Sequence, residues 1–269
     1  MKMKQDSLDI LCCPQCRGEL AFAGTSDSSG HSDSSMVCRN CGKEFTDTEG
    51  YPDFLGETGL KYSGKREKIV RTLYAKVYTP VNNFLFLFCG GAGNARREVL
   101  SRLDLKDSFS VLETGMGAGE NYLWMNSKAK NLRFYGIDIQ KQMMVHCMEN
   151  TQKWGIQAEI FRADATNLPF KDEKFDVVFH LGAINLFPDK GRAIEEMIRV
   201  ARPGTRIVIA DETDKAARLF NVFTGANDKV TPPVDLIPGN MINKSLEIIW
   251  RGYGFLIQFT KPDNPPNSR

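Results

Sequence analysis

After residue 108 the hydrophobic positions fall into short runs of β-branched and aromatic residues, separated by stretches with helical spacing. The runs are 110–113, 133–137, 158–161, 175–179, 206–210 and 255–260. Alternation of this kind implies right-handed βαβ crossovers and a largely parallel sheet covered on both faces, an α/β doubly wound fold. In such a fold ligands sit at the carboxyl ends of the strands, near the point where strand order reverses.

Upstream the pattern changes twice. Residues 1–56 are rich in Cys, Ser and Gly and lack helical periodicity, and 24–35 is a polar, flexible loop by composition. Such a segment cannot build an apolar core by itself. From about 65 to 102 the spacing turns helical through Ile69, Leu73, Ala75, Val77 and Tyr78, then reaches the apolar run Phe84–Phe88 and a glycine break at 90–93. The resulting division is a cysteine-bearing segment at 1–56, a helical linker or lid at 57–104, an α/β domain at 105–262 and a tail at 263–269. The stretch 231–238, with three prolines, interrupts the sheet pattern and is expected to shape a pocket mouth.

At 269 residues and 42% hydrophobic, the chain has room for one large domain with a small appendage. Its formal net charge of +2 lacks the strong basic excess of a dedicated nucleic-acid binder. No apolar stretch follows the start and no run approaches the roughly 20 residues a membrane span needs, so the expectation is a soluble, cytoplasmic protein. Oligomeric state leaves no signal in the sequence.

Four of the seven cysteines form two CxxC pairs, Cys13-Pro-Gln-Cys16 and Cys38-Arg-Asn-Cys41, with 21 residues between them. Each turn can aim two thiolates at one ion, and two turns complete a tetrahedron, so Cys13, Cys16, Cys38 and Cys41 are expected to hold a structural zinc. Cys12 competes for a place, but pairing it with Cys16 would leave three residues between; it is assigned as a small buried side chain. A redox dithiol is disfavoured because the second pair would be redundant and neither pair leads from a strand into a helix.

The first strand of the sheet pattern runs into Glu113-Thr-Gly-Met-Gly-Ala-Gly119, which reads GxGxG rather than the GxGxxG of a dinucleotide site. Glu113 at the strand end would repel a pyrophosphate but favour the cationic amino and sulfonium groups of S-adenosylmethionine. Asp138 closes the next strand, 23 residues after Gly115, at the distance expected of an acid accepting from ribose hydroxyls. It could equally cap the helix that follows. Asp164, after the third run, could accept from the adenine amino group.

Together, Glu113–Gly119, Gly136-Ile-Asp138, Ala163-Asp-Ala165, Phe175–Phe179 and Ala201–Ile209 resemble the class I S-adenosylmethionine-dependent methyltransferases, and Asn185–Gly204 resembles the corresponding segment of the quinone-biosynthesis branch. The resemblance implies a Rossmann-like, mostly parallel sheet of seven strands. It implies that Glu113, Gly115, Gly117, Gly119, Asp138 and Asp164 contact S-adenosylmethionine, with Ile139, Ala165 and His180 bordering it. Thr114, Met116 and Thr205 depart from the usual pattern. The cysteine segment, with Glu49-Gly-Tyr-Pro-Asp-Phe-Leu55 behind it, resembles the zinc ribbons found in front of some methyltransferases.

The sulfonium already activates the methyl group, so such an enzyme mainly has to align a nucleophile and exclude water. His180, at the end of its strand, is placed to meet the acceptor as a base, or to hydrogen-bond cofactor or backbone instead. Asn185 and Trp124 are further pocket candidates; His31 and His146 read as structural. The expected acceptor is a small or lipophilic molecule such as a quinol-like ring. Two alternatives stand beside it. One is an rRNA or tRNA base methyltransferase, since a zinc ribbon before this domain also resembles the ribosomal RNA guanine methyltransferases; few basic or aromatic residues in the ribbon speak against it. The other is a non-catalytic zinc-ribbon scaffold, for which Glu113, Asp138 and Asp164 would have no use.

Overall fold

The computed structural model describes residues 5–23, 35–47, 50–56, 91–218 and 230–263. The Phe84–Phe88 run, His31, most of the linker and most of the tail lie outside these residues. Among the described residues, seven strands form the sheet of the larger domain: β5 (Ser110–Thr114), β6 (Arg133–Asp138), β7 (Ala158–Arg162), β8 (Val177–Leu181), β9 (Arg206–Glu212), β10 (Ile242–Ile249) and β11 (Gly254–Thr260). Their order is β7-β6-β5-β8-β9-β11-β10. The first five strands are parallel; β11 adds antiparallel to β9, and β10 antiparallel to β11. Strand order reverses at β5, between β6 and β8, where the crossover direction switches.

Helices cover both faces. α1 (Ala92–Leu100), α2 (Glu120–Asn126) and α3 (Lys141–Trp154) share one core with Val111, Phe134, Ile160 and Phe179, while α4 (Lys190–Val200) packs on the other face with Leu112, Ile137, Phe161 and Val178. Burial on both sides explains why the central strands read as continuous apolar runs. All five residues of β5 are buried. Helix α1 lies in the stretch assigned to the linker, yet it belongs to this domain: Ala95, Val99 and Leu100 are buried, and the indole nitrogen of Trp250 donates to the Ala95 carbonyl at 3.1 Å.

The cysteine segment adds four short strands, β1 (Leu20–Phe22), β2 (Met36–Cys38), β3 (Glu44–Asp47) and β4 (Pro52–Asp53), and these continue the sheet beyond β7. The expectation that this segment has no core of its own is met by sharing one. Leu11, Leu20, Met36, Phe45 and Phe54 join the core on the α4 face, through aromatic contacts that run Phe45–Phe54 at 4.9 Å, Phe54–Phe161 at 6.2 Å and Phe161–Phe170 at 5.3 Å.

Two backbone seams fix the ribbon in place. Asp53 in β4 pairs parallel with Arg162 in β7, and the Phe54 amide donates to the Arg162 carbonyl at 2.9 Å. Around an antiparallel bridge between Leu11 and Phe170, the Cys12 amide donates to the Pro169 carbonyl at 3.0 Å and the Lys171 amide to the Ile10 carbonyl at 2.8 Å. A buried charge cluster adds to them. Glu196 on α4, 1% exposed, accepts from Arg17 of the ribbon at 2.8 Å, from Arg199 and from the Leu168 amide. Its carboxyl is held below the ordinary range: burial alone would raise it, but the two guanidinium groups outweigh burial.

Candidate cofactor and metal sites

Parallel strands end at one edge, and the acids of the sequence motifs gather there. Register places Thr114 beside Ile137 and beside His180, and Asp138 beside Arg162, so the ends of β5, β6, β7 and β8 form one row. Between β5 and α2 the chain turns through Gly115, Gly117 and Gly119, all at positive φ. Gly117 has open space where a side chain would begin, whereas a Cβ at Gly119 would stand 2.7 Å from the Cys147 sulfur. The loop is therefore packed underneath and open above, as a ligand cradle requires. Two amides, of Gly115 and Met116, donate to the Ile137 carbonyl at 2.8 and 3.0 Å and tie the turn to β6.

Glu113 is fully buried beneath this loop. Its Oε1 accepts from Asn121 at 2.5 Å; its Oε2 has no partner among the described residues. Burial pushes the carboxyl up to about 8, against the pull of Asn121 and of the Arg96 guanidinium. A buried carboxylate with an unused oxygen fits a cationic ligand and fits a pyrophosphate badly. Asp138, 9% exposed, accepts from the Gly117 amide at 3.0 Å through Oδ2 and from the Gln140 amide at 2.8 Å through Oδ1. One carboxylate thus clasps the glycine loop and the start of α3 together. Asp164 follows β7 and accepts from the Thr166 amide at 2.8 Å; Ala165 beside it is buried, and Ile139 is half-buried. These residues fit S-adenosylmethionine in charge and in the order of its parts.

His180 lies inside β8 rather than past its end, and it is fully buried. Its Nδ1 stands 2.6 Å from the Thr114 carbonyl oxygen, so Nδ1–H donates and Nε2 carries the lone pair. Burial lowers the imidazole to about 4, keeping it neutral. Nε2 has no partner among the described residues. The Asn185 amide donates to Asp211 at 2.8 Å and its side chain to the Glu212 carbonyl at 3.0 Å, which joins the turn after β8 to the end of β9. Trp124 lines a surface groove with Leu100, Leu103 and Lys128.

Sequence reasoning missed Asn121, Arg162 and the Asp211–Glu212 pair. Burial pushes the Glu212 carboxyl up to about 7, with the neighbouring Asp211 adding to the rise. Asn121 is the second residue of α2, just behind the glycine loop, where only the fold reveals that it faces Glu113.

At the other end of the chain the sulfurs of Cys13, Cys16, Cys38 and Cys41 all lie within 4.8 Å of one another. Cys13 and Cys41 are 3.7 Å apart and Cys16 and Cys38 3.5 Å. Four thiolates around zinc at about 2.3 Å would stand about 3.8 Å apart, so the cluster fits the ion. Cys12 is buried outside it. The turn of the first pair places Gly18 so that a Cβ there would crowd Asn40 and the Cys38 and Cys16 sulfurs.

Comparison with known proteins matches two separate segments of the chain. Residues 111–204 match the family described as "Methyltransferase domain", and residues 4–46 match "Trm112p-like protein". The chain is 33% identical over 101 residues to the phthiotriol/phenolphthiotriol dimycocerosates methyltransferase of Mycobacterium leprae, covering 38% of this chain and 37% of that one. It is 28% identical over 137 residues to the demethylmenaquinone methyltransferase of Lactiplantibacillus plantarum, covering 49% and 56%. In these matches the chain therefore spans about a third to a half of the curated relatives' own length. Among solved structures, a chain of the complex between the Haloferax volcanii Trm112 methyltransferase activator and its partner superposes with a TM-score of 0.54 at 15% identity, over 62% of this chain and 89% of that one. That likeness is one of fold.

Proposed function

We propose, for a chain that joins a class I S-adenosylmethionine-dependent methyltransferase domain to a Trm112-like zinc ribbon, that it transfers the cofactor's methyl group to a small lipophilic acceptor, a quinol-like ring among them. The observation that carries this reading is Glu113: a buried carboxylate with an unused oxygen under an open glycine loop, at the reversal point of the sheet. Bound S-adenosylmethionine supplies an electrophilic methyl on a sulfonium.

The chain's residues bind, orient and exclude water. Glu113 neutralises the cation, Asp138 holds the ribose, and Asp164 accepts from the adenine. The glycine loop lets backbone lie against the ligand. His180, held in one tautomer by the Thr114 carbonyl, presents a neutral Nε2 that can accept the proton of an acceptor hydroxyl. The names of the two relatives, whose acceptors are lipophilic, support the same class. In the described residues no helix is long and apolar enough to cross a membrane.

Calorimetric titration of the zinc-loaded protein with S-adenosylmethionine and, separately, with NAD tests the cofactor. Saturable binding of the first alone is expected, and its absence in folded protein would bring back the scaffold. Incubation with radiolabelled S-adenosylmethionine and either a demethylated quinol or total RNA then tests the acceptor. Label in RNA and none in the quinol would refute the acceptor class.

A further inference from the structure

We propose that the ribbon helps to set the affinity for S-adenosylmethionine through Asp53, which acts as a positioning residue for the ribose-binding turn at Asp138. This rests on the methyltransferase reading above. Asp53 lies outside the matched segment 111–204, in the strand that joins the ribbon to the sheet.

Its side chain works in two directions. Oδ1 accepts from the Leu55 amide at 2.9 Å and the Gly56 amide at 3.0 Å, which fixes the carboxylate on its own turn. Oδ2 accepts from Nη1 of Arg162 at 2.6 Å, and both side chains are about one-twentieth exposed, at 5% and 6%. Nη1 also reaches the Gly56 carbonyl at 3.3 Å. The same guanidinium points its Nε the other way and donates to the Ile139 carbonyl at 3.1 Å. Ile139 is the residue between Asp138 and Gln140, whose amide supplies one of the hydrogen bonds on the Asp138 carboxylate.

A rigid, planar group thus spans from the ribbon's last strand to the middle of the ribose-binding turn. The planar fork of arginine is suited to this task because its donors keep fixed relative directions. Remove the Asp53 charge and the guanidinium is left buried without a counter-charge. It must then leave its place, and the Ile139 carbonyl loses its donor. The turn that aims the Asp138 carboxylate is free to relax, and the hydrogen bonds lost are those to the ribose, not those at Glu113.

The test uses full-length, zinc-loaded protein titrated with S-adenosylhomocysteine and with an analogue that lacks both ribose hydroxyls. Wild type is expected to prefer the natural ligand at least about tenfold. Asp53→Asn should weaken the natural ligand about tenfold and leave the analogue within about twofold, erasing the preference. The double variant D53N/R162M removes both buried charges; it should recover the melting temperature of wild type but not the ribose preference. Equal weakening of both ligands, an undiminished preference in D53N, or a preference regained by the double variant would each overturn the proposal. Wild type that binds neither ligand would refute the methyltransferase reading itself, before any variant is compared.

Discussion

Glu113→Gln is the perturbation that bears most directly on the cofactor site. With its carboxyl pushed up to about 8, Glu113 is mostly neutral at pH 7 in the free protein. A unit cation about 4 Å away in an effective dielectric of about 20 stabilises the carboxylate by about 4 kcal/mol. That equals about 3 pKa units, enough to ionise the group. Cofactor binding at pH 7 should therefore release close to one proton, about 0.9 for a group at about 8 that drops into the ordinary range. Titration calorimetry in phosphate and in Tris, which differ in ionisation enthalpy, reads this number from the change in apparent binding heat. Affinity should rise about tenfold per pH unit between pH 6 and 7.5.

The stability effect has the opposite sign. A carboxyl raised from its ordinary 4.5 to about 8 favours the folded state fully below pH 4.5, and that contribution is lost as pH rises through about 8. It amounts to roughly 5 kcal/mol as an upper figure. The Glu113→Gln protein should therefore melt higher than wild type at pH 8.5 in the absence of cofactor, bind S-adenosylmethionine far more weakly, and release no proton on binding. Tight, saturable binding by wild type with the same heat in both buffers would refute this account of Glu113.

Three further outcomes follow from the packing. Gly119→Ala places a methyl against the Cys147 sulfur at a left-handed φ of 72°, and should cost about 2–3 kcal/mol in urea unfolding. Glu196→Gln removes the negative charge shared by Arg17, Arg199 and Arg192; because Arg17 and Arg192 are partly exposed, a loss of about 2 kcal/mol is expected, measured by the same method. Cys38→Ser should abolish zinc retention, measured by metal analysis of the purified protein, and should expose the 1–56 segment to limited proteolysis.

How much of this was legible without coordinates depended on where each residue spends its side chain. Strands β5 to β9 and β11 stand out in the sequence because both of their faces are covered, so nearly every position is apolar. β10 did not: it is an edge strand with Asn243 and Lys244 exposed, and its Ile-Asn-Lys-Ser-Leu-Glu opening reads as a loop. The ribbon strands, two to four residues long, are below the length at which any period shows. Residues that answer to local spacing were readable, such as the four thiols and the glycines after β5. Arg162 was not, because its meaning is set by Asp53, a residue 109 positions away whose proximity only the folded chain creates. His180 illustrates the same limit: its place near the strand end was visible, its full burial was not.

The seam between β4 and β7 has a consequence for how the chain can be handled. A sheet of this kind ends on one side in a strand whose backbone donors and acceptors face outward, and such an edge invites pairing with any other extended chain. Here the ribbon shields the side of β7 that faces away from β6. A fragment trimmed to the larger domain would present that side bare, together with Phe161 and Phe170 stripped of their neighbours Phe54 and Leu11. Its first failure should be self-association through the uncovered strand, appearing as concentration-dependent precipitation while the cofactor loop is still intact.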